Sequence, residues 1–390
     1  MISSLAKRLA ADAEARHAQG LVRGRQVVDL AGPGLRVRIN GRSLINFSSN
    51  DYLGLAHDQV APASYSAQIA YGSAASPLVT GYTSVHRELE SALADFTGFE
   101  SVCLFPSGYQ ANIAVGQALG QRGRSALADR LNHASLNDGL RLSGARLVRY
   151  AHADANNARQ RQRPNCDLIV TDTVFSMDGD LAPLNALHEL SRATDTALWI
   201  DDAHGFGVLG KGGRGALEDL GLMPDTVDVY IATFGKALGT AGAFVAGDKT
   251  LIEHLENSAR GLIYSTALSP AIAKWTLGNL ARLRGEPERR TRLADNIERF
   301  RGTCLDRDVP LTASDTAIQI VPIGDNQQAM QLSDQLADAG FLVKAIRPPT
   351  VPTGTARLRI TLSSAHQPQA IDSLCDALAH LIPTSALEPQ

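Results

Sequence analysis

The 390 residues amount to roughly two to three domain-equivalents, and a composition of 44% hydrophobic and 20% charged residues is that of a globular chain that needs no covalent staples. Lys+Arg 37 against Asp+Glu 40 leaves a net charge of −3, which excludes a broadly basic, nucleic-acid-binding surface. No apolar run reaches the roughly 18 residues of a membrane span, so no membrane partner is expected.

In chain order, the first 25 residues are Ala- and Arg-rich and lack the apolar stretch of a secretion signal; Asp12 and Glu14 argue against a transit peptide and favour an amphipathic surface helix. A hairpin-like stretch follows, with strands at 35–39 and 44–47 around Asn40-Gly41. From there short β-rich runs alternate with helical patterns. Strands are expected at 101–105, 125–128, 146–150, 167–171, 197–200, 227–232 and 242–246, and helices at 109–119, 134–142, 184–193 and 249–260. This alternation predicts an α/β fold with a mostly parallel sheet, whose chemistry belongs beyond the carboxyl ends of the strands. After Tyr264 the pattern changes: helices at 270–283, 284–301 and 330–339 with strands at 317–321 and 357–362 predict a smaller α+β domain. The expected division is an N-terminal segment, 1–45, packing with the small domain 284–390, and a large domain 46–283. The tail 384–390 is expected to fray.

Cys103, Cys166, Cys304 and Cys375 form no CxxC pair, and so few in so long a chain read as reduced cytoplasmic thiols, with no metal site expected. Asp201-Asp202-Ala203-His204 follows the apolar run ALWI and sets a carboxylate and a histidine at one strand end; a turn with a capping aspartate accounts for it equally well. Lys236, in Thr233-Phe234-Gly235-Lys236, lies just past another strand. A lone loop lysine is ordinarily solvated, but the flanks Ala237, Leu238, Gly239, Ala241 and Gly242 are small and apolar. Such surroundings disfavour the ammonium and ready the amine for a Schiff base. Ser107-Gly108-Tyr109 joins a strand to a helix, where exposed amides suit an anion or simply close a tight turn. His133 could stack on a planar ring; alone it reads as part of a helix-capping turn. The stretch 205–210 (GFGVLG) fits GxGxxG, but the KGGRG that follows is a poor helix start, so it reads as a glycine-rich active-site loop and not a dinucleotide fingerprint. A nicotinamide-dependent oxidoreductase is the rival from another class, and a silent scaffolding subunit, which would lack Lys236, is the third.

At Asp201, His204 and Lys236 these signals converge on a resemblance to the fold-type I pyridoxal-phosphate enzymes, and more narrowly to the α-oxoamine synthases. Its motifs are 46–55 (NFSSNDYLGL), 175–180 (FSMDGD), 201–205 (DDAHG), 233–236 (TFGK), 263–266 (IYST) and 347–352 (RPPTVP), within a span of about 23–377. The resemblance implies a seven-stranded, mostly parallel sheet, pyridoxal 5'-phosphate as cofactor, a cytoplasmic homodimer with shared active sites, and condensation of an amino acid with an acyl thioester. RPPTVP followed by TARLRITL at 355–362 is most similar to the biotin-pathway branch, which implies L-alanine and a pimeloyl thioester; glycine or serine with another acyl group is the alternative. It further implies that Lys236 holds the cofactor, Asp201 pairs with its ring nitrogen, His204 bonds its phenolic oxygen, and His133 and Ala203 flank its ring. Gly108, Tyr109, Ser176 and Thr233 match positions around ring and phosphate, and Thr266 matches a phosphate contact from the neighbouring subunit. Arg347 matches the holder of the amino-acid carboxylate; His133, Asn50, Thr350 and Arg23 match other substrate positions. Ala74-Ala75, Pro77 and Asp172 depart from the pattern of relatives without removing a catalytic group.

Overall fold

The computed structural model describes residues 3–18, 21–56, 58 and 69–382, so the expected frayed tail at 384–390 lies outside the described residues. The chain divides into two units. One holds the described residues of Asn50–Asp295 and Asp315–Ala317, the other those of Met1–Ser49, Asn296–Ser314 and Ile318–Gln390.

The second of these units begins with α1 (Ser4–Ala18), none of whose residues is buried. Its hairpin is three-stranded: β1 (Asp29–Gly32), β2 (Arg36–Ile39) and β3 (Arg42–Asn46) pair antiparallel, and the two-residue turn Asn40-Gly41 has positive φ at both positions, as a type I′ hairpin requires. The sequence gives no sign of β1 because that strand is exposed and lacks an inside–outside alternation.

The larger unit carries α2 (Ser84–Thr97), β4 (Ser101–Phe105), α3 (Gly108–Leu119), β5 (Ser125–Asp129), α4 (Ala134–Ser143), β6 (Arg146–Tyr150), α5 (Ala155–Arg161), β7 (Cys166–Asp172), α6 (Leu184–Thr194), β8 (Ala197–Asp201), α7 (Ala216–Asp219), β9 (Val229–Thr233), β10 (Ala243–Gly247), α8 (Lys249–Ser258), α9 (Arg260–Ile263) and α10 (Pro270–Gly285). Seven strands form one sheet in the order β4-β10-β9-β8-β7-β5-β6, parallel except that β10 is antiparallel to both neighbours. Trp199, Val170, Ile231 and Val245 sit in the core between this sheet and helices that include α3 and α4.

The chain passes from one unit to the other within α11 (Glu288–Asp306) and continues through β11 (Ile318–Gly324), α12 (Asn326–Asp338), β12 (Phe341–Leu342), β13 (Lys344–Ile346), β14 (Ala356–Thr361) and α13 (Pro368–Leu381). β11, β14 and β13 form an antiparallel sheet, and β12 adds parallel to β3.

Several expectations shift, three of them for a visible local reason. The strand expected at 227–232 starts at Val229, because Pro224–Thr226 is a short 3-10 turn and the Asp228 carboxylate accepts from Leu198 N (2.7 Å). The helix expected at 284–301 runs from Glu288 to Asp306: the one expected at 270–283 continues to Gly285 as α10, and α11 starts after Pro287, which pushes Glu286 out of the helical region. The helix expected at 249–260 breaks at Ala259 into α8 and α9.

α3 and α4, whose first turns follow β4 and β5, approach each other through glycine. A Cβ on Gly139 would lie 2.5 Å from Asn112 O, and one on Gly116 would lie 2.5 Å from Gly139 C. Both clashes are with backbone, which no rotamer change relieves. Gly139→Val is therefore expected to destabilise the larger unit by about 3 kcal/mol or more, read as a fall of several degrees in Tm. An unchanged Tm would contradict this packing.

Candidate active site

Asp172, Asp201 and Thr233 are the last residues of β7, β8 and β9, side by side in the sheet. Asp201 is 6% exposed; its Oδ2 accepts from Asn112 Nδ2 (2.6 Å) and its Oδ1 from Ala203 N (3.0 Å). Asp172 Oδ2 accepts from His133 N (2.7 Å). Burial and then the Asp201 charge push the Asp172 carboxyl well above the usual carboxylate range, against the His133 amide and the Lys236 ammonium, which lower it.

His133 caps the N-terminus of α4 and keeps an accessible ring. Desolvation is the larger cause holding its imidazole below the ordinary value; Asp201 raises it and Lys236 lowers it. Tyr109, in the first turn of α3, stands edge-on to that ring (centroids 6.3 Å), with its Oη donating to Asp138 Oδ2 (2.6 Å). Lys236 lies in the turn after β9, closed by Gly239 N donating to Lys236 O (2.9 Å), between buried Phe234, Ala237 and Leu238. It acts electrostatically on both His133 and Asp172, so the amine, the imidazole and two acids share one neighbourhood.

His204 is 9% exposed, and its Nδ1 is 2.6 Å from Tyr52 Oη, which also reaches Asn50 Oδ1 (3.4 Å). Ser107 Oγ accepts from Gln110 N (3.2 Å) at the start of α3, and Gly108 lies against Thr233, whose Cβ would be 3.6 Å from a Gly108 Cβ. Ser176 sits in the turn closed by Gly179 N donating to Phe175 O (2.8 Å); Phe175 is edge-on to His152 at 4.3 Å. Thr266 is exposed after α9, where Ala267 N donates to Ala75 O (3.0 Å). Arg23, Arg347 and Thr350 belong to the other unit and cluster there: Arg23 Nη2 donates to Thr350 Oγ1 (2.9 Å) and Arg347 Nη2 to Val22 O (2.8 Å).

The residues that sequence reasoning passed over are Tyr52, Asn112, Ser135 and Asp202. Tyr52 was visible only as part of NFSSNDYLGL. Asp202 faces away from Asp201 and anchors the glycine-rich loop: it accepts from Tyr230 Oη (2.7 Å), Ala216 N (3.0 Å) and Thr173 Oγ1. Burial pushes its carboxyl up to about 6, against those three bonds. Gly215 has φ +98° and a Cβ there would lie 1.9 Å from Asp202 Oδ2, so only glycine fits. The 205–210 stretch folds back on 213–215 through Gly207 N to Gly213 O (2.9 Å) and Gly215 N to Leu209 O (3.1 Å), and the helix after it is four residues long. It does not open a phosphate-binding helix as a dinucleotide fingerprint must.

The donor set fits pyridoxal phosphate. An amine among apolar neighbours suits an aldehyde, a buried carboxylate suits a protonated ring nitrogen, an accessible imidazole suits a planar face, and the first-turn amides of α3 beside the Thr233 hydroxyl suit a phosphate. Among the described residues no group of His, Cys, Asp and Glu is arranged to hold a metal ion, and no helix is long and apolar enough to cross a membrane.

Residues 42–378 match the family described as aminotransferase class I and II. The chain is 50% identical over 357 residues to the 8-amino-7-oxononanoate synthase of Methylococcus capsulatus (90% of this chain, 92% of the relative), and 47% identical over 386 residues to that of Alkalilimnicola ehrlichii (97% and 98%). Among solved structures it resembles the serine palmitoyltransferase of Sphingomonas wittichii (TM-score 0.87, 29% identity, 97% of this chain and 98% of that one) and the 8-amino-7-oxononanoate synthase of Francisella tularensis (TM-score 0.74, 30%, 86% and 97%).

The turn that carries Ser176 rests on a titratable clamp. His152 Nδ1 is 3.0 Å from Asp129 Oδ1 and its Nε2 is 2.6 Å from Asp180 Oδ2. Burial lowers its pKa, but the two carboxylates prevail and raise it to about 9. A histidine raised on folding stabilises the native state below its unfolded value, and this contribution is lost as pH rises through the folded one. Wild-type stability toward urea should fall between about pH 6.5 and 9 by up to roughly 3 kcal/mol more than that of His152→Asn. Equal slopes would contradict the clamp.

Proposed function

The chain belongs to the aminotransferase class I and II family, and from that premise we propose that it is a pyridoxal-phosphate-dependent 8-amino-7-oxononanoate synthase. It condenses L-alanine with a pimeloyl thioester to give 8-amino-7-oxononanoate, carbon dioxide and free thiol. The observation that carries this reading is the meeting of Lys236, His133, Asp172 and Asp201 at adjoining strand ends, in a chain about half identical to synthases of that name.

Lys236 would hold the cofactor at Nζ, Asp201 would pair with the ring nitrogen, and His204, oriented by Tyr52, would bond the phenolic oxygen. His133 and Ala203 would flank the ring. Gly108, Tyr109, Ser176 and Thr233 would serve ring and phosphate together with Thr266 of a second copy. When bound, the cofactor supplies an electron sink for the pair released at an amino-acid Cα. Lys236 Nζ, as a free amine, would take the Cα proton and later return one. Arg347 holds the alanine carboxylate, as a planar guanidinium does best, with His133 as a further donor. Asn50, Thr350 and Arg23 serve the acyl substrate.

A homodimer with shared sites accompanies this reading. Tyr71, Leu78, Val79 and Tyr264 expose large apolar surface on the segments joined by the Ala267–Ala75 bond, beside Thr266. A cytoplasmic location agrees with four free, buried thiols.

Purified protein supplied with pyridoxal phosphate should release thiol from pimeloyl-CoA with L-alanine and not with glycine or L-serine. Lys236→Ala should lose turnover and keep its fold. Release only with serine or glycine would transfer the chain to another condensing specificity, a reading for which the likeness to serine palmitoyltransferase speaks. Near-normal turnover by Lys236→Ala would overturn the assignment of the base.

A further inference from the structure

A continuous hydrogen-bonded chain runs from Asp201 to the His133 ring. Asn112 Nδ2 donates one hydrogen to Asp201 Oδ2 (2.6 Å) and the other to Ser135 Oγ (2.9 Å), and Ser135 Oγ is 2.6 Å from His133 Nδ1. Asn112 and Ser135 are both buried. The directions are set from the two ends of the chain, by the Asp201 carboxylate and by the Ser135 backbone amide. A carboxylate only accepts, so Asn112 must turn its amino group toward Asp201; turned over, its Oδ1 would face a carboxylate oxygen. That choice leaves Asn112 Oδ1 buried with no hydrogen-bond partner, a cost that the bond to Asp201 offsets. Both Asn112 hydrogens are then used. Ser135 Oγ accepts one of them. Ser135 N, at the start of α4, points to His133 Nδ1 (3.4 Å) and can only donate, so Nδ1 accepts, and the Ser135 hydroxyl turns its own hydrogen to the same nitrogen. An imidazole nitrogen that accepts from two donors carries no proton, so the neutral ring carries its hydrogen on Nε2.

We propose that Asn112 and Ser135 are positioning residues that fix His133 as the neutral, Nε2-protonated tautomer, so that the ring offers a donor and not an acceptor to the carboxylate of the amino-acid substrate. This rests on the reading of His133 as a substrate-facing group. It assigns a role to two buried residues outside the set proposed to hold cofactor and substrate. Protonating Nδ1 would turn the Ser135 hydroxyl hydrogen away and set a second donor against the Ser135 backbone N–H, which resists conversion of the ring to the cation. The charged groups around the ring divide: Asp201 and Asp138 favour the cation and Lys236 opposes it, while Asp172 is occupied by the His133 backbone amide and the Tyr109 hydroxyl by Asp138.

The test is the imidazole nitrogen spectrum of the full-length protein labelled with 15N-histidine, recorded with and without pyridoxal phosphate and without substrate, the His133 signal being identified by its loss in His133→Asn. Wild type should show the Nε2–H pattern at neutral pH in both states. Ser135→Ala should raise the His133 pKa by roughly half to one unit, and Ser135→Thr, which keeps the hydroxyl, should restore it. Asn112→Leu should admit a share of the Nδ1–H form. An Nδ1–H pattern in wild type would overturn the proposal whether or not any variant folds. So would a Ser135→Ala protein whose His133 pattern and titration match wild type. Because no substrate is present, these outcomes are separate from the thiol-release assay: an Nε2–H ring in a protein that releases no thiol would reject the proposed reaction and leave the relay standing.

Discussion

A carboxylate buried at the end of a central strand must find hydrogen-bond donors or give up its charge. Asp201 finds two, the side-chain amide of Asn112 and the main-chain amide of Ala203. Each donor ties a different part of the molecule to β8. Asn112 fixes α3, and α3 fixes α4 through the contact of Gly116 with Gly139; Ala203 fixes the turn that leads to His204. His133 reaches the site because α4 begins where Asp172, at the end of the next strand, accepts its main-chain amide. The helices that bring a histidine, the first turn of α3 and a buried amide to one place are therefore registered on two adjacent acids.

The same strand end does two jobs by alternation. Asp201 faces Asn112 of α3 and acts on the His133 imidazole. Asp202, one residue on, faces away and holds Tyr230, Thr173 and the loop that returns through Gly215. Successive residues of a strand point to opposite sides, so a DD pair at a strand end separates a chemical carboxylate from a structural one without further machinery. The structural one pays in protonation: burial pushes Asp202 up to about 6 although three donors oppose the shift.

Much of the sheet was legible because its strands are short runs rich in apolar, β-branched and aromatic residues, as in SVCLF, DLIVT and ALWI. Boundaries moved where a local competitor intervened: the 3-10 turn before β9, and Pro287 between α10 and α11. The helix α2 carries its apolar residues at Leu89, Leu93 and Phe96, the spacing of one helical face, but it follows the glycine- and serine-rich 72–81 stretch, and the sequence reading made no element of it. The expected site residues of the larger unit were legible as motifs. The residues that orient them were not, since Asn112, Ser135 and Tyr52 are ordinary helix or loop residues until the fold sets them against Asp201, His133 and His204. A hydrogen bond between positions 112 and 201 leaves no periodic trace in a sequence.

In the proposed reaction Asp201, as partner of the cofactor's ring nitrogen, governs removal of the amino-acid Cα proton by Lys236. Exchange of the L-alanine Cα hydrogen for deuterium, followed by proton NMR in heavy water with the pyridoxal-phosphate-loaded protein and no acyl thioester, measures that step alone. Wild type should exchange that hydrogen, and Asp201→Asn should do so slower by roughly a hundredfold or more. Exchange at wild-type rate in Asp201→Asn with the cofactor still bound would overturn that role of Asp201.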